Sequence, residues 1–218
     1  MAQIGTELEG RTCVITGGGR GIGAAIATAF AAQGARVAIL ERDPSLGDET
    51  ATRLAAEGSE ARTYEVNVAD EHAVISAAAR VRADFGDVDV LVNNAGIGRL
   101  GPSMSFPLKD WQDSLDVLVT GVFLCSREFG KALRDNERGG AIVNISSING
   151  LVAFPMRLAY SAGKAAVVSM TKILAVEWAA YGIRVNAVAP GNTKTEMVQE
   201  AIDQGLIDID AYMDHTPL

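Results

Sequence analysis

Tyr160-Ser-Ala-Gly-Lys164 puts a phenol and an ammonium four residues apart in a stretch with helical spacing, so the two side chains share one helix face about one turn apart. A phenol carries protons at neutral pH only if its acidity is raised. Its ordinary pKa is about 10, and a value near 7 requires about 4 kcal/mol of preferential phenolate stabilisation. A neighbouring ammonium supplies part of that. Ser147 lies thirteen residues upstream, just past a Val/Ile-rich run, and its hydroxyl is suited to hydrogen-bonding a reacting oxygen without carrying charge itself. With four tyrosines and five lysines in 218 residues, chance places roughly 0.09 Tyr-x-x-x-Lys pairs in such a chain. The serine at its spacing makes coincidence rarer still.

A second constellation, Thr16-Gly17-Gly18-Gly19-Arg20-Gly21-Ile22-Gly23, stands where the first apolar run gives way to a helical stretch. Parallel sheets present a strand C-terminus and a helix N-terminus together at such a junction. Gly17 and Gly21 let the backbone turn and approach a diphosphate without a Cβ clash, while N–H groups and the helix dipole favour negative charge. Gly23 lets the helix pack closely on the strand; Gly19, Arg20 and Ile22 complete the turn. Eighteen residues beyond Gly23, Glu41 ends the second apolar run, close to the spacing at which an acid meets the ribose hydroxyls of a dinucleotide. A carboxylate there repels a 2′-phosphate, whereas the adjacent Arg42 is able to reach one. NAD is the favoured cofactor and NADP the alternative. A cationic nicotinamide would add to the pull of Lys164 on the phenolate, and the implied reaction is hydride exchange with an alcohol or carbonyl carbon.

The elements that must position these groups alternate along the chain. Strands are expected at Thr12–Thr16, Arg36–Leu40, Ala61–Val66, Val88–Val92, Ala141–Ile145 and Ile183–Val188, and helices at Ile22–Gln33, Gly47–Glu57, Glu71–Phe85, Pro107–Arg134 and Leu158–Tyr181. Asp70 is a candidate N-cap, and Gly34, Gly58, Gly86 and Gly182 are candidate stops. Near-continuous Val/Ile strands are covered on both faces, so the expected fold is α/β, a doubly wound parallel sheet of Rossmann type with helices on each side. No repeat or linker divides residues 1–218, which read as a single domain. Residues 191–218, acidic and apolar without a strand signal, read as a substrate lid.

Bulk properties narrow the function classes. A hydrophobic share of 48% and a charged share of 21% suit a globular domain. The net charge of −8 argues against a nucleic-acid partner. Cys13 and Cys125 sit in apolar runs, as reduced thiols do. No stretch is long enough to span a membrane, and the start of the sequence shows no signal-peptide pattern. The expected setting is the cytoplasm.

The glycine turn together with Ser147, Tyr160 and Lys164 resembles the short-chain dehydrogenase/reductase family, in its single-domain branch, over nearly the whole chain. The resemblance extends to Asn93-Asn94-Ala95-Gly96, which in that family supports the sheet and lines the cofactor. It includes Pro190-Gly191, with Thr193 and Thr195 at positions that touch the nicotinamide carboxamide and a phosphate, and Asn67-Val68 at the adenine contact, where the family usually has Asp in place of Asn67. It implies that Tyr160 is the general acid/base, that Lys164 holds the nicotinamide ribose and lowers the tyrosine pKa, and that Ser147 polarises the carbonyl. It implies a small secondary alcohol or ketone as substrate and a homo-oligomer, dimer or tetramer.

Two departures stand out. Asp116-Val-Leu118-Val-Thr-Gly-Val-Phe123 carries Leu118 where the family commonly has asparagine, so a side-chain hydrogen bond is lost there. The chain stops at His215-Thr-Pro-Leu218, where family members continue through another helix and a final edge strand, so that strand is expected to be missing and the sequence reads as a fragment. These departures motivate an alternative reading, a catalytically impaired cofactor-binding sensor or structural protein. Asn149, Leu151, Phe154, Met156 and Met197 are the candidate pocket residues and suggest a weakly polar substrate; Arg99 and Arg157 are the nearby bases.

Overall fold

The computed structural model describes residues 8–203 and Gly205. Six parallel strands, β1 (Thr12–Thr16), β2 (Arg36–Glu41), β3 (Ala61–Glu65), β4 (Val90–Asn93), β5 (Gly140–Ile145) and β6 (Ile183–Val188), form one sheet. Its order is β3-β2-β1-β4-β5-β6. The chain reverses its winding between β3 and β4, and the crevice between β1 and β4 is the switch point at which such sheets bind ligands.

Both faces are covered, as the Val/Ile runs require. Along β1, Val14 packs with Leu40, Leu91, Phe129 and Ile142 on one face. Cys13 and Ile15 pack with Val37, Ile39, Leu54 and Val92 on the other. Helices α1 (Gly21–Ala31) and α2 (Pro44–Ala56) supply the second layer; α3 (Glu71–Phe85), α5 (Gly121–Asp135) and α6 (Leu158–Glu177) supply the first. Helix α4 (Leu108–Leu115) and a short α7 (Glu196–Asp203) complete the described chain.

The stop signals act as expected: Gly34, Gly58, Gly86 and Gly182 all have positive φ, a region glycine enters without a Cβ penalty. Asp70 caps α3 by accepting the Ala73 N–H at 3.1 Å. Helix α2 begins three residues before the expected Gly47, because Asp43 accepts the Ser45 N–H at 3.0 Å and Pro44 occupies a first-turn position that suits its fixed φ.

The expected single helix Pro107–Arg134 is the main correction. A π-turn at Asp116–Thr120 separates α4 from α5. The extra residue shifts the helix face by part of a turn and brings Leu118, fully buried, against α6. A Cβ on Gly163 would stand 2.9 Å from the Leu118 Cβ, so the wide turn and the glycine fit together. The expected helix to Tyr181 likewise ends at Glu177, followed by a 3-10 turn over Ala179–Tyr181.

Asp70→Ala is expected to lower stability by about 1 kcal/mol and the melting temperature by about 2–4 °C, with Asp70→Ser close to wild type. Thermal unfolding of the two variants checks it; equal losses would remove the capping role.

Candidate active site

The C-terminal ends of the strands open into one cavity of about 310 Å3. Gly17, Arg20, Gly21, Ile22, Glu41, Arg42, Asn67, Val68, Asn94, Ala95, Gly96, Ser147, Tyr160, Lys164, Pro190, Gly191, Thr193 and Thr195 all line it. Gly19 and Gly23 do not; they shape its wall. A Cβ on Gly23 would collide with the Gly17 carbonyl oxygen and the Asn94 side chain.

Tyr160 lies in the first turn of α6, and Lys164 one turn later on the same face. The Lys164 Nζ stands 5.7 Å from the centre of the phenol ring. It donates to the Ile145 carbonyl at 2.6 Å, at the end of β5, while Ser146 Oγ donates to the Lys164 carbonyl at 2.9 Å. These two bonds fix α6 to the end of β5 at Lys164. Ser146 was not legible as a site residue, since its partner is main chain far along the sequence. Ser147 Oγ accepts the Asn149 N–H at 3.1 Å. That orients the hydroxyl and leaves its own proton to donate.

At the other end, Glu41 is held by main-chain donors. Its carboxylate accepts the Gly19 N–H at 3.1 Å, the Arg42 N–H at 2.9 Å and the Asp43 N–H at 3.4 Å. Gly19, expected to meet the cofactor, thus spends its amide on Glu41. Asn67 accepts the Ala69 N–H through Oδ1 at 3.1 Å. Arg20 pairs with Glu200 of α7 at 2.7 Å. The glycine turn is locked to β4: Thr16 Oγ1 accepts the Asn94 and Ala95 N–H groups at 2.9 and 3.0 Å, and the Asn94 amide donates to the Thr16 and Gly17 carbonyls, each at 2.9 Å.

The expected pocket residues are mostly not brought into the cavity, whose apolar lining comes instead from Ile97, Leu100, Val117 and Val198. Only Asn149 of that set lines the cavity; Leu151, Phe154 and Met156 are exposed outside it, and the Met197 side chain lies outside the described residues. Arg157 lines the cavity, whereas Arg99 instead lies 3.8 Å from Asp110.

Burial dominates the electrostatics. It raises the Tyr160 pKa, opposed by hydrogen bonding from Ser147 and the Arg157 charge. Lys164, expected to acidify the phenol, is itself desolvated, its pKa pushed down to about 8. Burial disfavours the charged form of each group.

A dinucleotide fits this architecture. Gly17 and Gly21 line the cavity with φ of +64° and +55° and put no side chain into it, at the start of α1, where main-chain N–H groups favour a diphosphate.

A match to the family described as short chain dehydrogenase spans residues 11–205. The chain belongs to the short-chain dehydrogenase family. It is 39% identical to D-threitol dehydrogenase of Mycolicibacterium smegmatis, over 90% of this chain and 75% of that protein. It is 39% identical to galactitol 2-dehydrogenase (L-tagatose-forming) of Cereibacter sphaeroides, over 97% of this chain and 82% of that protein. The crystal structure of NAD+-bound xylitol dehydrogenase superposes with a TM-score of 0.83 at 34% identity, covering 85% of this chain and 71% of that one. This short-chain dehydrogenase is an NAD(P)-dependent oxidoreductase acting on CH–OH groups.

The Lys164 pKa of about 8 lies below the ordinary 10.5. Between those values the unfolded chain holds a proton the folded chain lacks, so stability rises with pH; below pH 8 the cost of the buried ammonium is fully present. Lys164→Met is therefore expected to melt higher than wild type near pH 7, with the gap closing towards pH 10. A variant that melts lower at neutral pH would remove the buried-charge account.

Proposed function

We propose that the chain oxidises a secondary hydroxyl of a small alcohol to the ketone, or reduces that ketone, with NAD as the preferred cofactor. The observation that carries this reading is the convergence of Ser147, Tyr160 and Lys164 at one end of a cavity whose other end holds Glu41. The names of two relatives, which act on threitol and galactitol, support a hydroxylated substrate, as does the polar wall of Ser147, Asn149 and Arg157.

When bound, the cofactor supplies the hydride acceptor or donor. Ser147 donates a hydrogen bond to the substrate oxygen, and Tyr160 takes the hydroxyl proton during oxidation or returns it during reduction. Lys164, with one donor on Ile145, has two left for the nicotinamide ribose hydroxyls. Its charge favours the phenolate once those hydroxyls and the cationic ring are in place. Glu41 would accept from the adenosine ribose hydroxyls, and Asn67 and Val68 would hold the adenine. Thr193 and Thr195 would hold the carboxamide and a phosphate, and the segment from Gly191, which includes the cavity-lining part of α7, would cover the substrate.

Phe123, Ile173 and Val176 expose apolar surface on α5 and α6, which supports a homo-oligomer. Cys13 and Cys125 are unpaired and buried, their thiols pushed up to about 12, in keeping with a reducing cytoplasmic setting. No described helix is long and apolar enough to cross a membrane.

Turnover of polyols and ketones with each cofactor, read from NAD(P)H absorbance, tests the reading. Tyr160→Phe is expected to lower kcat by about 10²–10⁴-fold while NADH still binds by fluorescence; undiminished turnover would remove Tyr160 from the chemistry. Glu41→Ala is expected to weaken NAD binding about tenfold and relax discrimination against NADP. An unaltered preference would transfer that role to Arg42.

A further inference from the structure

We propose that Glu196 and Glu200 of α7 compete with the cofactor diphosphate for the glycine turn, and so set the affinity of the chain for its dinucleotide. The inference rests on the reading of the cavity as a dinucleotide site and deepens it by assigning two residues that oppose binding.

Helix α7 meets the glycine turn at two points. A Cβ on Gly21 would stand 3.4 Å from Glu196 Oε2 and 3.6 Å from Thr195 Cγ2, so the Glu196 carboxylate stands against the residue that opens α1. One turn further along α7, Glu200 pairs with Arg20 at 2.7 Å. Residues four apart on a helix share one face. The face of α7 that carries both acids is therefore the face turned to residues 20 and 21.

A diphosphate is drawn to the same place. Arg20 and Gly21 line the cavity, and α1 begins with no side-chain cap on Arg20 and no acid in its first turn. The first N–H groups of a helix have no intrahelical partner, so they and the helix dipole favour a negative charge supplied from outside the helix. In the free chain Glu196, itself a cavity-lining residue, brings that charge. Glu200 neutralises the cation of the turn. A diphosphate arriving at Gly21 thus meets a carboxylate of its own sign, and it finds the neighbouring guanidinium already paired.

Thr195 acts in the opposite sense. Its Oγ1 accepts the Val198 N–H at 3.4 Å, which leaves its own proton to donate to a phosphate. The start of α7 therefore carries one group that attracts the diphosphate and, beside it, two that resist it. Docking of α7 on the turn and binding of the diphosphate are linked, and each weakens the other by the same factor. Glu200 is 56% exposed, so solvent screens the effect to several-fold and binding remains ready and reversible.

Fluorescence titration with NADH and, in parallel, with NADPH, which carries the same diphosphate, tests the assignment. The proteins are the wild type, Glu196→Gln, Glu200→Gln, the double variant, and Glu177→Gln at the far end of α6 as a control for net charge. Each single α7 variant is expected to lower Kd about two- to fivefold and the double variant about tenfold, with the gain shrinking at high salt. Glu177→Gln should leave Kd unchanged. Adenosine, which has no diphosphate, should displace NADH from every variant with the same affinity. Unchanged or weaker dinucleotide binding in either single α7 variant, or a gain matched by adenosine or by Glu177→Gln, overturns the assignment and leaves the dinucleotide reading intact. A wild type and variants that bind neither NADH nor NADPH overturn both.

Discussion

A charged lysine held out of water at the rim of a parallel sheet is the constraint on which the site depends. Lys164 is 5% exposed, and its Nζ donates to the Ile145 carbonyl at the end of β5. That carbonyl is a strand terminus, so the ammonium's position is set by the sheet and not by a loop. Burial of this kind destabilises the protein, which is why the surroundings are built so tightly. A Cβ on Gly150 would stand 2.7 Å from the Lys164 carbonyl carbon, and one on Gly163 would press on Leu118. The strand, the turn Ile148–Gly150 after it and α6 are packed as one block, and Tyr160 rides on that block one turn from the lysine.

The cofactor end is fixed by a different device, a polar clamp across the switch point. Four hydrogen bonds run from Asn94 and Ala95, at the end of β4, to Thr16 and Gly17, at the end of β1. Behind the clamp a buried chain runs from Ser126 through Asn93 and Asn144 to Thr171, at 2.8 to 2.9 Å. It joins α5, β4, β5 and α6. The glycine turn and the Tyr160 helix are therefore two ends of one rigid frame, and the distance between the phosphate-binding backbone and the phenol is a property of the sheet.

Much of this was legible in the sequence, for identifiable reasons. Runs such as Cys13-Val-Ile15 reveal strands covered on both faces, and Gly34, Gly58, Gly86 and Gly182 mark ends that only a positive φ can make. Tyr160 and Lys164 are a local pair, and a local pair needs only helical geometry to be placed. What stayed hidden depends on tertiary partners. The π-turn packs Leu118 against Gly163, forty-five residues away. Gly19 turns its amide to Glu41 across two elements. Of the residues after Ser147, Leu151, Phe154 and Met156 are exposed outside the cavity, whereas Arg157 lines it.

Leu118 shows how a change of chemistry can leave a geometry standing. Its side chain has no donor or acceptor, so a proton behind Lys164 meets an apolar wall there. Yet neither bond that fixes Lys164 involves residue 118: one runs to Ile145 and the other from Ser146. Instead Leu118 fills the space between Gly163 and Gly96, where a Cβ would stand 3.3 Å from its Cδ2. The substitution thus acts on proton traffic and local dielectric, not on the placement of Tyr160. A drier surrounding deepens the desolvation that already lowers the Lys164 pKa. On the proposed reading, ribose hydroxyls would favour the Lys164 ammonium by accepting from it, and a cationic ring would favour the Tyr160 phenolate while repelling that ammonium, so the lysine would be the side chain through which cofactor binding and phenol acidification are linked.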